Sequence, residues 1–124
     1  MKQALATAQA PAAIGPYSQG IAAGQTVYVS DLIPIDPDTD DIPEDNSDQT
    51  AQSLKNIQAI LAEQGMTLAD VVKTTVFLAD MNDFAEMNKV YGEYFAQPFP
   101  ARSAVQVAKL PKGAPLEIEC IAVK

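Results

Sequence analysis

The spacing of apolar and polar residues along the chain predicts strands and helices in alternation. Residues 19–23 and 26–32, separated by a Gly-Gln turn, read as a β-hairpin. Apolar residues recur at helical spacing over 51–61, which predicts an amphipathic helix that Gly65 is well placed to end. The β-branched and aromatic run at 70–78 predicts a largely buried strand. Candidate N-caps for the helix predicted over 51–61 are Asn46, Ser47 and Asp48.

The second half of the chain predicts another helix and two final strands. The helix opens at Asn82 or Asp83, and Pro98 and Pro100 stop it. Gly92 lies inside it, where glycine costs about 1 kcal/mol relative to alanine, so we expect a close backbone contact there. The final strands cover 101–108 and 116–123. The inner face of the helix carries Phe84, Met87, Tyr91 and Phe95.

The predicted order is strand, strand, helix, strand, helix, strand, strand. It indicates an α+β fold, a two-layer sandwich of a mixed β-sheet with two helices on one face. The other face of such a sheet must be solvated or covered by partner chains. Strand residues that are too apolar for a bare face, and that therefore predict oligomerisation, are Val27, Val29, Val105 and Val107.

Composition adds a size and a class. The 124 residues, 48% of them apolar, predict one globular domain over 1–124. No apolar run approaches the roughly 18 residues of a membrane span, and the N-terminus carries no signal-peptide pattern. The single cysteine, Cys120, cannot form an internal disulfide. We therefore expect a cytoplasmic protein with no membrane association.

The chemistry that is missing from the sequence excludes several function classes. The chain has no histidine and one cysteine, and it contains none of the familiar nucleotide-binding loops, so we expect neither a metal nor a cofactor. Its net charge is −8, and seven of its 16 acids lie between residues 36 and 48. Without those seven the net charge would be −1, so the acidity is one local patch on a nearly neutral chain. Such a patch repels a phosphate backbone and no basic stripe compensates for it, so nucleic-acid binding is not expected. The acidic run resembles the start of a calcium loop, but Asp41 and Ser47 stand where that loop needs glycine and glutamate.

An arginine and two glutamates near the C-terminus are the strongest candidates for chemistry. Arg102 is the only arginine in the chain, and its guanidinium either grips a carboxylate in bidentate fashion or forms a structural ion pair. Glu117 and Glu119 lie two apart on a strand, so both carboxylates share one face. If the last two strands pair antiparallel, Arg102 comes near this end of the glutamate strand. The pair then either binds an acid and orients a water, or forms a salt bridge on a solvated face.

Two further side chains have alternative interpretations, and two others are the remaining candidates for a nucleophile. Tyr17 follows a stiff Gly-Pro turn, so its hydroxyl either serves a pocket or its ring packs. Asn88 falls on the apolar side of the second helix, where it either tethers a loop or contacts a ligand. Ser103 and Cys120 have no histidine to activate them, so nucleophilic catalysis is not expected. Cys120 is most simply a small core residue.

These residues stand within stretches that closely resemble the Rid family, the reactive enamine/imine deaminases also called the YjgF family. The resemblance runs essentially from end to end, in order and with matching spacing. Its motifs are residues 11–20 (PAAIGPYSQG), 72–84 (VKTTVFLADMNDF), 99–103 (FPARS), 110–111 (LP) and 117–123 (EIECIAV).

The resemblance implies a fold, an assembly and an activity. The fold is similar to that of small trimeric chorismate mutases, with three clefts between the subunits of a homotrimer. Family members hydrolyse 2-aminoacrylate, 2-aminocrotonate and related enamines or imines to 2-keto acids and ammonia, without a cofactor. A ribonuclease or translation-inhibitor activity is reported for parts of the family.

The resemblance also assigns roles to individual positions. Arg102 matches the arginine that grips the substrate carboxylate, and Glu119 matches the acid that positions the attacking water. Tyr17, Ser30 and Asn88 match residues that line or support the cleft, with Tyr17 counted among the catalytic residues.

The sequence departs from the family at Asp31, beside Ser30. Family members with established activity usually have glycine there, with its backbone against the ligand. Asp31 adds bulk and a negative charge, and two like charges about 5 Å apart at an effective dielectric near 20 repel by about 3 kcal/mol. Asp31 either weakens the binding of an anionic substrate or pairs with Arg102. The alternative function is therefore a non-catalytic trimer that binds a metabolite or a protein partner.

Overall fold

The computed structural model describes residues 1–30 and 32–124, and the predictions made for Asp31 lie outside the described residues. They form a mixed sheet of six strands in the order β1-β2-β3-β6-β4-β5, with two α-helices. The strands are β1 (Lys2–Leu5), β2 (Gly20–Ala23), β3 (Thr26–Leu32), β4 (Val71–Leu78), β5 (Ala101–Gln106) and β6 (Leu116–Val123). The helices are α1 (Asn46–Ala62) and α2 (Phe84–Tyr94).

The predicted hairpin is confirmed, and an additional strand precedes it. β2 and β3 pair antiparallel around a turn in which Gly24 has φ +62°. Strand β1 pairs antiparallel with β2 at the edge of the sheet. The hydrophobic pattern does not predict β1, because the strand has four residues of which only Leu5 is buried.

The two last strands are not neighbours, which corrects the conditional prediction that they pair antiparallel. β5 runs parallel to β4 at the other edge of the sheet, as expected for two strands joined by a helical crossover through α2. β6 lies between β3 and β4 and is antiparallel to both. Arg102 on β5 and Glu119 on β6 are therefore separated by the whole width of β4.

Both helices have the predicted apolar faces. In α1, the side chains of Leu54, Ile57, Ile60 and Leu61 are fully buried. The N-cap is Asp45, whose carboxylate accepts a hydrogen bond from the Ser47 amide at 3.2 Å, so the three predicted N-caps are one or more residues too late.

The second helix confirms its inner face but not its glycine contact. In α2, Met87 and Tyr91 are buried, and Phe95 is buried just after the helix ends. Asp83 precedes α2 and makes no side-chain cap bond. The close contact expected at Gly92 is wrong, because a Cβ built there meets no described atom within 4 Å.

The helices cover one face of the sheet and leave the other open. Val27 and Val29 are 1% and 3% exposed and belong to the core, so naming them as part of the open face was wrong. The open face instead exposes Tyr28 and Val123 together with Val105 of the edge strand. The α+β two-layer sandwich is thus confirmed, and an apolar open face exists, although its residues differ in part from those predicted.

Candidate active site

Arg102 lies at the edge of the sheet, on the side that faces helix α2. Its Cζ atom lies 4.7 Å from the ring centroid of Tyr91 and 5.5 Å from that of Phe84. Its Nη1 donates a hydrogen bond of 2.8 Å to Oδ1 of Asn88. Two rings and one carboxamide therefore surround a half-buried guanidinium on the edge strand.

The spacing predicted that Asn88 lies on the apolar side of its helix, and this prediction is wrong. The residue is exposed, and its carboxamide oxygen accepts from a side chain of β5 rather than from a loop. Asn88 and Arg102 are nonetheless neighbours, which brings together two of the predicted site residues.

The Tyr91 ring that contacts Arg102 is itself held in the core. Tyr91 is 4% exposed, and its hydroxyl shares a 2.7 Å hydrogen bond with Oγ1 of the fully buried Thr74 on β4. Its ring centroid lies 4.5 Å from that of Phe95. Burial raises the pKa of Tyr91 above its usual value, so the hydroxyl stays neutral and available as a hydrogen-bond donor.

Glu117 and Glu119 lie on β6 with their side chains on the open side of the sheet, as the alternation predicted. Leu116, Ile118 and Cys120 between and beside them are buried under the helices. Glu119 is half-buried and Glu117 is 5% exposed, so a fully solvated strand face is wrong for this pair. Cys120 is a core residue, as expected, and burial raises its pKa to about 12.

Glu119 lines a hollow of about 470 Å³ on the open side of the sheet together with Ser30, Lys73 and Thr75. Nζ of Lys73 donates to the Thr74 carbonyl at 2.9 Å and to Oγ of Ser103 at 3.3 Å. The hollow thus holds a cation, a carboxylate and several hydroxyls, which suits a small polar ligand.

Tyr17 and Ser30 line a larger groove of about 900 Å³ that also includes Glu117. Tyr17 is 52% exposed, so the packing interpretation of its ring is wrong. A turn with a 2.9 Å bond from the Tyr17 amide to the Gly15 carbonyl positions it, and its hydroxyl accepts from the Ile14 amide at 3.3 Å.

Gln19 organises one wall of this groove, and the sequence analysis did not identify it. The residue is 3% exposed. Its carboxamide oxygen accepts a hydrogen bond from the Thr7 amide, and its carboxamide nitrogen donates to the carbonyls of Thr7, Ala10 and Pro11, at 2.6–3.3 Å. Its own carbonyl accepts from the amide and the hydroxyl of Ser30, each at 3.1 Å. A glutamine at the start of an apolar strand was the available signal, because a buried amide must find several partners.

The predicted site residues therefore form two groups on one chain. Arg102 and Asn88 lie on the helix side at the β5 edge, whereas Ser30 and Glu119 line the hollow on the open side, and Tyr17 lines the groove that shares Ser30 with this hollow. The strand register shows the separation: Thr74 pairs with Arg102 and Cys120, and the next residue, Thr75, pairs with Ser103 and Glu119. Since successive side chains of a strand point to opposite faces, a single chain does not bring Arg102 and Glu119 together.

Within the part of the chain that the structure describes, no cluster of three or more His, Cys, Asp or Glu side chains is arranged to hold a metal ion. None of the described helices is long and apolar enough to cross a membrane. Asp36 of the acidic loop instead accepts a hydrogen bond from the Asp38 amide at 2.9 Å.

The fold and these two groups of side chains define a small α+β protein with a candidate site for a small polar molecule. The sequence profile of the family described as endoribonuclease L-PSP matches residues 7–124. The chain therefore belongs to this family, which is also called the YjgF or Rid family.

Relatives of the chain match over almost its full length. A 2-iminobutanoate/2-iminopropanoate deaminase from Salmonella typhimurium is 50% identical, with 100% of this chain and 99% of the relative covered. A RutC family protein from Pyrococcus horikoshii is 54% identical, with coverage of 100% and 99%. The crystal structure of TdcF from E. coli with bound serine superposes with a TM-score of 0.93 at 48% identity, covering 98% of both chains.

Proposed function

We propose that this protein is a deaminase that hydrolyses 2-aminoacrylate- and 2-aminocrotonate-type enamines or imines to 2-keto acids and ammonia. Relatives of about 50% identity bear the name 2-iminobutanoate/2-iminopropanoate deaminase, and they cover the whole chain. The observation that carries the proposal is the position of Arg102, the sole arginine of the sequence. Its guanidinium is held at the sheet edge by aromatic rings and by Asn88. A guanidinium held in this way is prepared for bidentate capture of a carboxylate.

The proposed reaction needs positioning and a water molecule. Arg102 holds the carboxylate of the substrate, and the enamine tautomerises to the imine. A water oriented by Glu119 then adds to C2: a C–O bond forms, and the water gives up one proton while the imine nitrogen gains one. The hydroxyl proton of this addition product then passes to the nitrogen as the C2–N bond breaks, so that ammonia leaves and the carbonyl of the keto acid forms. Free enamines already hydrolyse in water, so the positioning of the reactants supplies the acceleration. Tyr17, Ser30 and Asn88 line or support this cleft.

We propose that the active protein is a homotrimer with its sites between subunits, each chain contributing residues 1–124 as one Rid-like domain. The separation of Arg102 from Glu119 within a chain supports this assembly. In such a trimer the β5 edge of one subunit meets the open sheet face of the next, so that Arg102 approaches the neighbour's Ser30 and Glu119. The contact also covers the apolar residues Tyr28 and Val105, which are about half exposed in the isolated chain.

Asp31 supports a second candidate function, because it places an aspartate where active family members usually have glycine. In this alternative the trimer has lost deamination and binds a small metabolite or a protein partner. The ribonuclease named in the family description is not supported by the chain, whose net charge is −8 and whose eight bases form no basic run.

A coupled assay tests the proposed function. A serine or threonine dehydratase generates the enamine, and keto-acid formation is followed with and without this protein. We expect faster release of the keto acid, and a kcat/KM about a hundredfold lower in Arg102→Ala, because two charge-assisted hydrogen bonds are lost. Arg102→Lys is the matched control, since it keeps the charge and removes the planar fork.

Light scattering must show that all variants remain trimers. If the keto acid forms no faster in the presence of an intact wild-type trimer than without it, this result contradicts the deaminase function and favours the binding function. Full activity in Arg102→Ala contradicts the role of the arginine.

A further inference from the structure

The side chain of Arg102 depends on a buried residue that the sequence analysis counted only as core. Tyr91 presents the face of its ring to the guanidinium, with the Cζ atom 4.7 Å from the ring centroid. Of the two rings beside Arg102, this one is the closer, and it is also the buried one. We propose that Tyr91, anchored by Thr74, is the positioning residue that holds Arg102 in its carboxylate-binding orientation. This inference deepens the proposed function and rests on it.

Free arginine side chains have many rotamers, and fixing one of them costs conformational entropy. The tyrosine ring fixes the plane of the guanidinium, because a cation stacks over a ring face within about 6 Å of its centroid. The 2.8 Å bond from Nη1 to Asn88 then fixes the rotation within that plane. An arginine that is ordered before the substrate arrives loses less entropy on binding.

The hydrogen bond to Thr74 makes the ring a fixed support. Thr74 is fully buried on β4, between β5 and β6, and its Oγ1 lies 2.7 Å from the Tyr91 hydroxyl. Phe95 packs against the tyrosine ring with a centroid distance of 4.5 Å. The ring is therefore held at its hydroxyl and on its surface, and the position of the arginine follows from the core of the sheet.

Because Arg102 is the only arginine, its Nε–Hε group gives a single arginine signal in a proton–nitrogen NMR spectrum. In the wild type we expect this signal to be displaced by the ring current of Tyr91 relative to a solvated arginine. Tyr91→Leu should move the signal most of the way toward the solvated position, because only the more distant ring of Phe84 remains. Tyr91→Phe and Thr74→Val keep the ring but remove the anchor, so intermediate displacement is expected in both.

The same samples are titrated with 2-oxobutanoate, the keto acid that corresponds to the imine in the relatives' name. We expect the dissociation constant to rise about 3- to 30-fold in Tyr91→Leu, as for a lost cation–π contact. Val90→Ala is the matched control: Val90 is a buried residue of the same helix that takes no part in the described contacts of Arg102. It should lower stability while leaving the signal and the affinity unchanged.

The outcomes separate the inference from the proposed function. A wild-type Arg102 signal at the solvated position overturns the inference. Wild-type affinity for 2-oxobutanoate in Tyr91→Leu also overturns the inference, provided that Arg102→Ala abolishes binding. In that case the proposed contact between Arg102 and the substrate carboxylate stands. If Arg102→Ala binds 2-oxobutanoate as well as the wild type, the proposed function itself fails and the positioning role fails with it.

Discussion

Arg102 and Glu119 lie on opposite faces of the sheet, on either side of strand β4. Arg102 pairs in register with Thr74 and contacts Tyr91 of helix α2, whereas Glu119 pairs with Thr75 and lines a hollow on the open face. Two strand spacings separate β5 from β6, which is about 10 Å. A site that uses both residues therefore needs one from each of two chains.

Mixing two inactive variants tests this arrangement. Arg102→Ala and Glu119→Gln chains, each of low activity alone, should regain activity when they are co-expressed. A site that takes its arginine from one subunit and its glutamate from the next is then intact in about a quarter of the interfaces under random assembly of a cyclic trimer. The measurement is kcat per site in the coupled assay, on heterotrimers whose composition is confirmed by native mass spectrometry.

Co-expression of each variant with a differently tagged copy of itself is the control for the mixing experiment, and it should keep the low activity of that variant. Confirmed heterotrimers with no more activity than the single variants would contradict a shared site, because a site complete within one chain cannot be restored by a neighbour.

The charge and the bulk of Asp31 are separable by two substitutions. Asp31→Asn removes the charge at nearly constant size, and Asp31→Gly removes both. We expect Asp31→Asn to raise kcat/KM for an anionic substrate by up to about a hundredfold, chiefly through a lower KM, since about 3 kcal/mol of repulsion is removed. The gain should shrink in 1 M salt, where the screening length falls to about 3 Å. Activity that stays the same or falls in both variants would show that Asp31 is not what limits deamination.

The buried amide of Gln19 should control the order of the groove wall. Gln19→Leu removes the bonds to Thr7, Ala10 and Pro11, and we expect the free energy of unfolding to fall by about 2–4 kcal/mol. Urea unfolding measures this loss, and hydrogen exchange should show faster exchange at the Thr7 amide. Gln49→Leu is the matched control, because Gln49 is also buried and bonds to the carbonyls of a different loop, at Pro43 and Glu44. An unchanged Thr7 exchange rate in Gln19→Leu would contradict the tether.

The features that the sequence predicts well are those that depend on local spacing. The alternation of β6 correctly separates Glu119 from Cys120, and the helical spacing of α1 correctly identifies Leu54 and Ile57 as core. Strand β1 escapes prediction because it is short and mostly exposed, and its order comes from pairing with β2.

The features that the sequence does not predict depend on topology. The insertion of β6 between β3 and β4 is a long-range event, so the condition under which Arg102 would approach Glu119 within one chain, pairing of the last two strands, is not met. The bond from Arg102 to Asn88 joins residues 14 apart, and no spacing rule for helices or strands relates them. Tyr91 was correctly placed on the core side of its helix, but only the fold shows that its ring supports the arginine.

Cys120 should resist modification in the folded protein. The thiolate is the reactive form, and burial raises the pKa of Cys120 to about 12 from an ordinary value of 9.0. At pH 8 a thiol reagent such as DTNB should therefore react with the urea-unfolded chain and not with the native one. Rapid labelling of the native protein would contradict the buried position of this side chain.

The same pKa shift predicts a loss of stability in alkali. Between pH 9 and 12 the unfolded chain has released the Cys120 proton while the folded chain retains it, so the unfolded state binds fewer protons and stability falls as pH rises. Below pH 9 both states keep the proton, and the thiol contributes no pH dependence. Cys120→Ala should flatten the pH dependence of the unfolding free energy above pH 9. The slope that remains above pH 10 includes Tyr91, whose pKa burial also raises, and Tyr91→Phe in the Cys120→Ala background should reduce it further. An equal slope in the wild type and Cys120→Ala would show that the thiol is not the group that titrates.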